Sequence, residues 1–253
     1  MKFTNYVAAD TPQEALALLG EGRSRIVGGN LWLRMSNLSG KTMIDLKKLG
    51  WDKIEEQADS YVIGAGVTLR QLETHPGLNE MTGGLFAKAL RDIVGVQFRN
   101  AATVGGSLYM RAGFSDVLTM LLPLDGRVLL YPPDMEIPLQ LYAEFRPGRE
   151  LVRGIRVPKQ PLRISYQSVR NTSGNVPVLT CCCCRKDGKL QAAIGARPHR
   201  AVMLESLTGE KLAQKADALD YGTNAAASGA YRRHLAKVLL ARCLQEIEEE
   251  AGE

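Results

Sequence analysis

Ile26-Val27-Gly28-Gly29-Asn30 is the stretch on which the reading of this chain turns. Two β-branched residues, which favour extended backbone, run into a pair of glycines, the residues that enter tight turns most freely. Arg25–Val27 therefore reads as a short strand, with a short helix after the turn. Immediately upstream, Thr11-Pro12-Gln13-Glu14 is a capping box with proline at the first helical position. Ala15, Leu16, Leu18 and Leu19 continue that helix, and Gly20 stops it. Phe3–Val7 before it and Thr42–Leu46 after it read as strands. The three strands and the helix make a βαβ-like unit of about 50 residues.

Farther along, the alternation repeats. Tyr61–Ile63 reads as a strand, followed by Gly64-Ala65-Gly66 and a helix capped by Thr68. Leu85–Ile93 and Asp116–Leu122 have helical spacing. Between them lies a second glycine pair, Thr103-Val104-Gly105-Gly106-Ser107, which is also expected to follow an extended segment. Gly126–Tyr131, Leu151–Val157 and Ile164–Ser168 read as strands, with Pro158 and Pro161 marking a boundary. The last helix carries Tyr231, Leu235, Val238 and Leu239 on one face. Arg232, Arg233, Arg242, Glu246 and Glu248 are expected on a polar face, and the acidic tail is expected to fray. The fold class is α+β. Residues 1–160 form a first domain, with subdomains 1–55 and 56–160 built around one glycine loop each. Residues 161–253 form a smaller α+β domain.

Composition narrows the function classes. The chain has 253 residues, 45% of them apolar and 23% charged, as expected for a globular protein. No run approaches the roughly 20 apolar residues of a membrane span. The first ten residues lack the apolar core of a secretory signal, so a cytoplasmic protein is expected. The formal charge is +5, but no basic cluster is interleaved with aromatics, which argues against nucleic acid. Cys181, Cys182, Cys183 and Cys184 are consecutive, whereas metal sites need spacers for thiolates to converge. They read as small hydrophobes in a buried strand, with Asp187-Gly188 turning a hairpin behind them. Free thiols in such a run suit a reducing compartment. His75, His199 and His234 share no ligand spacing, and no nucleophile elbow or P-loop is present. No metal site and no catalytic side chain are expected within the chain.

The glycine pairs carry the remaining chemistry. Glycines let a backbone approach a ligand closely, and successive amides then form a nest for phosphate oxygens. Two such loops suit the two phosphates of a dinucleotide. Taken alone, each pair is weak evidence, because a tight strand-to-helix turn accounts for it more simply. Neither is a Rossmann fingerprint, since the third glycine and the trailing acidic residue are missing.

Several segments, in order, resemble the flavoprotein subunits of molybdenum hydroxylases, the family of xanthine dehydrogenase and carbon monoxide dehydrogenase. IVGGNLWL is similar to the family's first FAD loop, A-G-G-T-D-L. VQFRNAATVGGSL resembles I-R-N-x-A-T-I-G-G-N, and FSDVLTMLLPLDGRVLL resembles the S-D segment that follows. MIDLKKLG, VIGAGVTLRQLE, LVRGIRVP, RISYQSVR and ASGAYRRHLAKVLLARCL match further stretches, so the likeness covers almost the whole chain.

The resemblance implies FAD as cofactor. Arg23, Ser24, Arg25, Ile26, Val27, Gly28, Gly29 and Asn30 would wrap part of it, with Gly28, Gly29 and Asn30 nearest the pyrophosphate. Thr103, Val104, Gly105, Gly106 and Ser107 would hold the pyrophosphate from the other side. Asp116 would bond the nucleotide end; a helix N-cap is its alternative role. Ile93 and Val152 match apolar positions at the flavin, or serve as core. Gln167 stands where some members have a lysine, Asn30-Leu31 where Thr-Asp is usual, and Ser107 where Asn is usual. The implied partners are an iron–sulfur subunit and a molybdopterin subunit, with NAD a possible acceptor and no nucleic acid or membrane involved. Two other readings remain: an assembly subunit that has lost FAD, and a free-standing flavin oxidase.

Overall fold

A computed structural model describes residues 2–144, 148–160 and 162–249. They form two compact units that interleave along the chain. The first comprises residues 1–71, 96–110 and 126–158; the second, residues 72–95, 111–125 and 159–253. The architecture is α+β.

In the first unit, β1 (Lys2–Ala8), β2 (Arg25–Val27) and β3 (Ser39–Asp45) form a parallel sheet in the order β1-β3-β2. Helix Pro12–Gly20 connects β1 to β2, and the Thr11 side chain accepts the Glu14 N–H, so the capping box forms where the sequence places it. Ala9, Ala15 and Ile44 are fully buried between helix and sheet. A second sheet of the same unit holds β4 (Ile54–Glu56), β5 (Ser60–Gly64), β6 (Arg127–Tyr131), β7 (Met135–Pro138) and β8 (Leu151–Pro158). It is antiparallel, in the order β4-β5-β8-β6-β7. After β5, Thr68 caps the next helix by accepting the Gln71 N–H at 3.2 Å, while the Gln71 side chain takes the Thr68 N–H at 2.8 Å.

One expectation fails here. The second glycine pair does not follow an extended segment. Helix Val96–Ala101 precedes it, and Gly105 and Gly106 lie in the first turn of helix Val104–Met110. The turn is fixed by tertiary contacts rather than by propensity: Thr103 bridges to Thr68, and the N–H groups of Val104 and Gly105 bond the carbonyls of Val67 and Ala65 at 2.9 and 2.8 Å.

The second unit is a four-stranded antiparallel sheet of β9 (Arg163–Val169), β10 (Leu179–Lys186), β11 (Lys189–Gly195) and β12 (Val202–Ser206), ordered β12-β11-β10-β9. Asp187 and Gly188 both have positive φ in the hairpin between β10 and β11. Helices Gly209–Asp217 and Gly229–Glu249 cover one face, and helix Asp116–Leu121 packs against the other. A central strand covered on both faces has no solvent side, which is why all four consecutive cysteines are fully buried.

The last helix departs from its expected faces. Arg232 is not on the polar face: it is 1% exposed. Its guanidinium donates to the carbonyls of Val178, Gly222 and Ala227 and to Asn224 Oδ1. Tyr231, expected on the apolar face, is 46% exposed. The helix runs into the acidic tail as far as Glu249; residues 250–253 lie outside the described residues.

Candidate functional site

The glycine loops meet inside the first unit. A Cβ on Gly29 would lie 1.6 Å from the Ala101 carbonyl oxygen, and one on Gly28 would lie 2.5 Å from Thr103 Oγ1. The first loop thus presses directly onto the turn that starts the second. Gly105 is equally confined, with Ala65 Cβ at 2.7 Å. Packing within the chain accounts for these three glycines. Gly106 differs. It is exposed, among the described residues its Cβ direction meets only Thr103 Oγ1 at 3.1 Å, and its N–H bonds that same rotatable hydroxyl at 3.2 Å. An added side chain there enters open space beside the loop.

The rest of the first loop has polar capacity to spare. Asn30 takes the left-handed conformation, φ 58°, and heads helix Leu31–Met35 without a side-chain cap bond. Its Oδ1 is buried with no partner among the described residues, as is Ser24 Oγ. Among the described residues, no main-chain hydrogen bond outside helices and strands uses the N–H groups of Gly28, Gly29 or Asn30. Buried polar atoms without partners are uncommon and call for a ligand or water. Arg23 is exposed at φ 51°, and Arg25 Nη1 donates to the Ser24 carbonyl at 2.8 Å. Ile26 and Val27 belong to β2, paired with Ile44 and Asp45. Val104 is fully buried, Ser107 Oγ donates to the Thr103 carbonyl at 3.1 Å, and Val152 lies in β8 paired with Leu130.

Three predicted residues lie in the second unit. Ser115, not Asp116, caps helix Asp116–Leu121: its Oγ accepts the Leu118 N–H at 3.1 Å. The N-cap role for Asp116 is therefore ruled out. Its carboxylate is instead buried against Tyr166 and Arg170, which both donate to Oδ1, Arg170 from 2.6 Å. Burial pushes Asp116 up from the ordinary aspartate value, against the pull of the Arg170 guanidinium and the Tyr166 hydroxyl. Burial, then the Asp116 charge, holds the Tyr166 phenol well above its usual range, so it acts as a donor. Arg170 Nε is buried and has no partner among the described residues. Gln167 donates its amide to Glu246, which also accepts from Ser165 at 2.5 Å and from Lys88 at 2.9 Å. Ile93 is half-buried after helix Leu85–Leu90. Tyr166 and Arg170 escaped the sequence reading. Their only local signal is a place on the strand that carries Gln167 and at its end.

Residues 1–160 match the model of a family described as the FAD binding domain in molybdopterin dehydrogenase. The chain belongs to this family. A curated relative, the nicotinate dehydrogenase FAD-subunit of Eubacterium barkeri, is 30% identical over 138 residues, taking in 51% of this chain and 46% of that one. The chain thus spans about half the length of the relative it matches. Among solved structures, carbon monoxide dehydrogenase from Hydrogenophaga pseudoflava aligns with a TM-score of 0.86 at 19% identity, covering 97% of each chain. Quinoline 2-oxidoreductase from Pseudomonas putida 86 aligns at 0.84 and 18%, over 98% of this chain and 97% of that one. At these identities the likeness establishes the fold.

Among the described residues, no helix is long and apolar enough to cross a membrane.

Proposed function

We propose that this chain is the FAD-binding subunit of a molybdenum-containing hydroxylase. The observation that carries the reading is the buried, unpartnered Asn30 Oδ1 beside a glycine loop that presses onto the turn leading to Gly106. These features fit FAD. Gly28, Gly29 and Asn30 would offer free amides to its pyrophosphate, with Gly106 closing the cradle through a Thr103 hydroxyl free to rotate away. Arg23 to Val27, Val104, Gly105 and Ser107 would shape and brace that cradle, and Val152 and Ile93 would present apolar surface. Asp116, held by Tyr166 and Arg170, is the acceptor for hydroxyls at the nucleotide end, while Gln167 is tied to Glu246. No histidine or cysteine flanks either loop, so the cofactor is held without a covalent bond.

FAD held there would supply the redox chemistry between an iron–sulfur partner and NAD or another acceptor. The chain contributes binding, orientation and exclusion of water, and needs no general base. An iron–sulfur subunit and a molybdopterin subunit complete the assembly. Purification from the native source tests this directly. A yellow protein, accompanied by iron–sulfur and molybdenum subunits, whose flavin is all released on denaturation is the expected result. Colourless protein that takes up no FAD would make it an assembly subunit; yellow protein that runs alone and oxidises a substrate would make it a free-standing oxidase.

A further inference from the structure

Cys181 and Cys183 alternate with Cys182 and Cys184 along β10, so each pair takes its own face of the sheet. Cys184 Sγ faces the Pro123 carbonyl, on the side of helix Asp116–Leu121. Cys181 and Cys183 face the last helix, where the otherwise isolated Cys243 meets them. Their sulfurs are 3.5 Å apart, Cys243 donates toward the Cys181 carbonyl, and all three sulfurs lie within 4.8 Å of one another. All three side chains are fully buried. Three thiols converging from two elements make a preformed tridentate site, which the spacing of the four cysteines alone does not suggest.

Charge selects the ligand. The surroundings are largely apolar: Val178, Ile194, Leu239, Leu240 and Ile247 belong to the same core, and the Ser165 hydroxyl lies against Cys243. The nearby charge on the last helix, Glu246, is already paired with Lys88 from helix Leu85–Leu90, so the two are neutral together. Zinc(II) on three thiolates leaves a net negative charge and an unfilled fourth position, and copper(I) leaves a larger negative charge. Neither charge has a partner in this core, which makes both unfavourable. A trivalent thiophilic centre with three thiolates is neutral and three-coordinate.

We propose that Cys181, Cys183 and Cys243 form a binding site for trivalent arsenic or antimony. With arsenite, three As–O bonds break and three As–S bonds form. Each thiol proton leaves with a hydroxyl group as water, and no oxidation state changes. Because the sulfurs are buried, capture waits on local opening of the helix against the sheet, so uptake is slow and quickens in mild denaturant.

The test incubates the full chain with sodium arsenite under reducing conditions, removes the excess, and measures arsenic and intact mass. One arsenic per chain, with three hydrogens lost, is expected. Cys243→Ala and Cys183→Ala should each lose retention, while the Cys182→Ala/Cys184→Ala double variant keeps it; circular dichroism monitors folding. X-ray absorption of the wild-type adduct, which needs no variant, should find three sulfur neighbours. No retained arsenic, retention indifferent to Cys243, oxygen in the coordination shell, or preferential zinc uptake would each overturn the assignment.

Discussion

The two units build polar sites by opposite means. The first leaves side chains out: Gly28, Gly29 and Gly105 let three stretches of backbone pack where no Cβ fits, and Gly106 opens onto free space. The second puts side chains in, burying Asp116, Tyr166 and Arg170 and satisfying them against one another. The lesson concerns what a glycine means. Three of the four loop glycines are explained by the chain's own packing, so they are evidence for a shape. Only Gly106 is left for a ligand to explain.

The largest expected effect tests the packing half of that contrast. Gly29→Ala drives a methyl group into the Ala101 carbonyl, and backbone cannot yield as a flexible side chain can. Overpacking of this kind is expected to cost about 3 kcal/mol or more. A chemical denaturation curve would measure it, and a variant as stable as wild type would show that the two loops are not pressed together.

Gly106→Val tests the other half. The fold should survive, because little protein lies in the way, while FAD retention should fall at least tenfold, read as the ratio of flavin to protein absorbance. Gly20→Ala is the control, since nothing among the described residues lies within 4 Å of its added Cβ. Gly222 cannot serve as that control, because a Cβ there would meet Pro198 Cδ at 2.7 Å. A folded Gly106→Val protein with full flavin would remove Gly106 from the proposed cradle.

In the second unit, Tyr166→Phe should act on stability by less than Gly29→Ala. It deletes one donor to a buried carboxylate, a loss of about 1–3 kcal/mol, with Arg170 still in place. A Tyr166→Phe protein as stable as wild type would mean that the Asp116 cluster is held by Arg170 alone.

What could be read from the sequence follows the range of the forces involved. β2 is found at Arg25–Val27 and the capping box at Thr11, because turn chemistry and capping are local. The short helices around the second glycine pair escape such a reading. They are six and seven residues long, too short to be set by propensity, and are held by Thr68, Ala65 and Val67 from elsewhere in the chain. Arg232 misleads for the same reason: its acceptors lie at Val178, just before β10, and on the loop at 222–227. Cys243 looks like an isolated thiol until the fold lays it over β10. The glycine loops were legible as candidates, whereas the division of labour between Gly29 and Gly106 needed coordinates.

The smallest effect sharpens the contrast through pH. Burial works to raise Glu246, but the Ser165 hydroxyl, the Lys88 ammonium and the Gln167 amide outweigh it and hold the carboxyl below its ordinary value of 4.5. A depressed folded pKa means that the unfolded chain binds the proton more readily. The stabilisation is therefore fully present above the unfolded value and is lost as pH falls through the folded one. Its size is limited, because the Glu246 side chain is 38% exposed and solvent screens the pair. Glu246→Gln should lower the unfolding midpoint slightly at neutral pH, and the gap to wild type should close as the pH drops below 4.5. Denaturation midpoints of both proteins across that range measure it. A gap that stays constant down to low pH would mean that Glu246 acts through packing and not charge. The first unit's glycine cradle has no titrating side chain at its centre, so the Gly106→Val loss of flavin should show no such acid dependence.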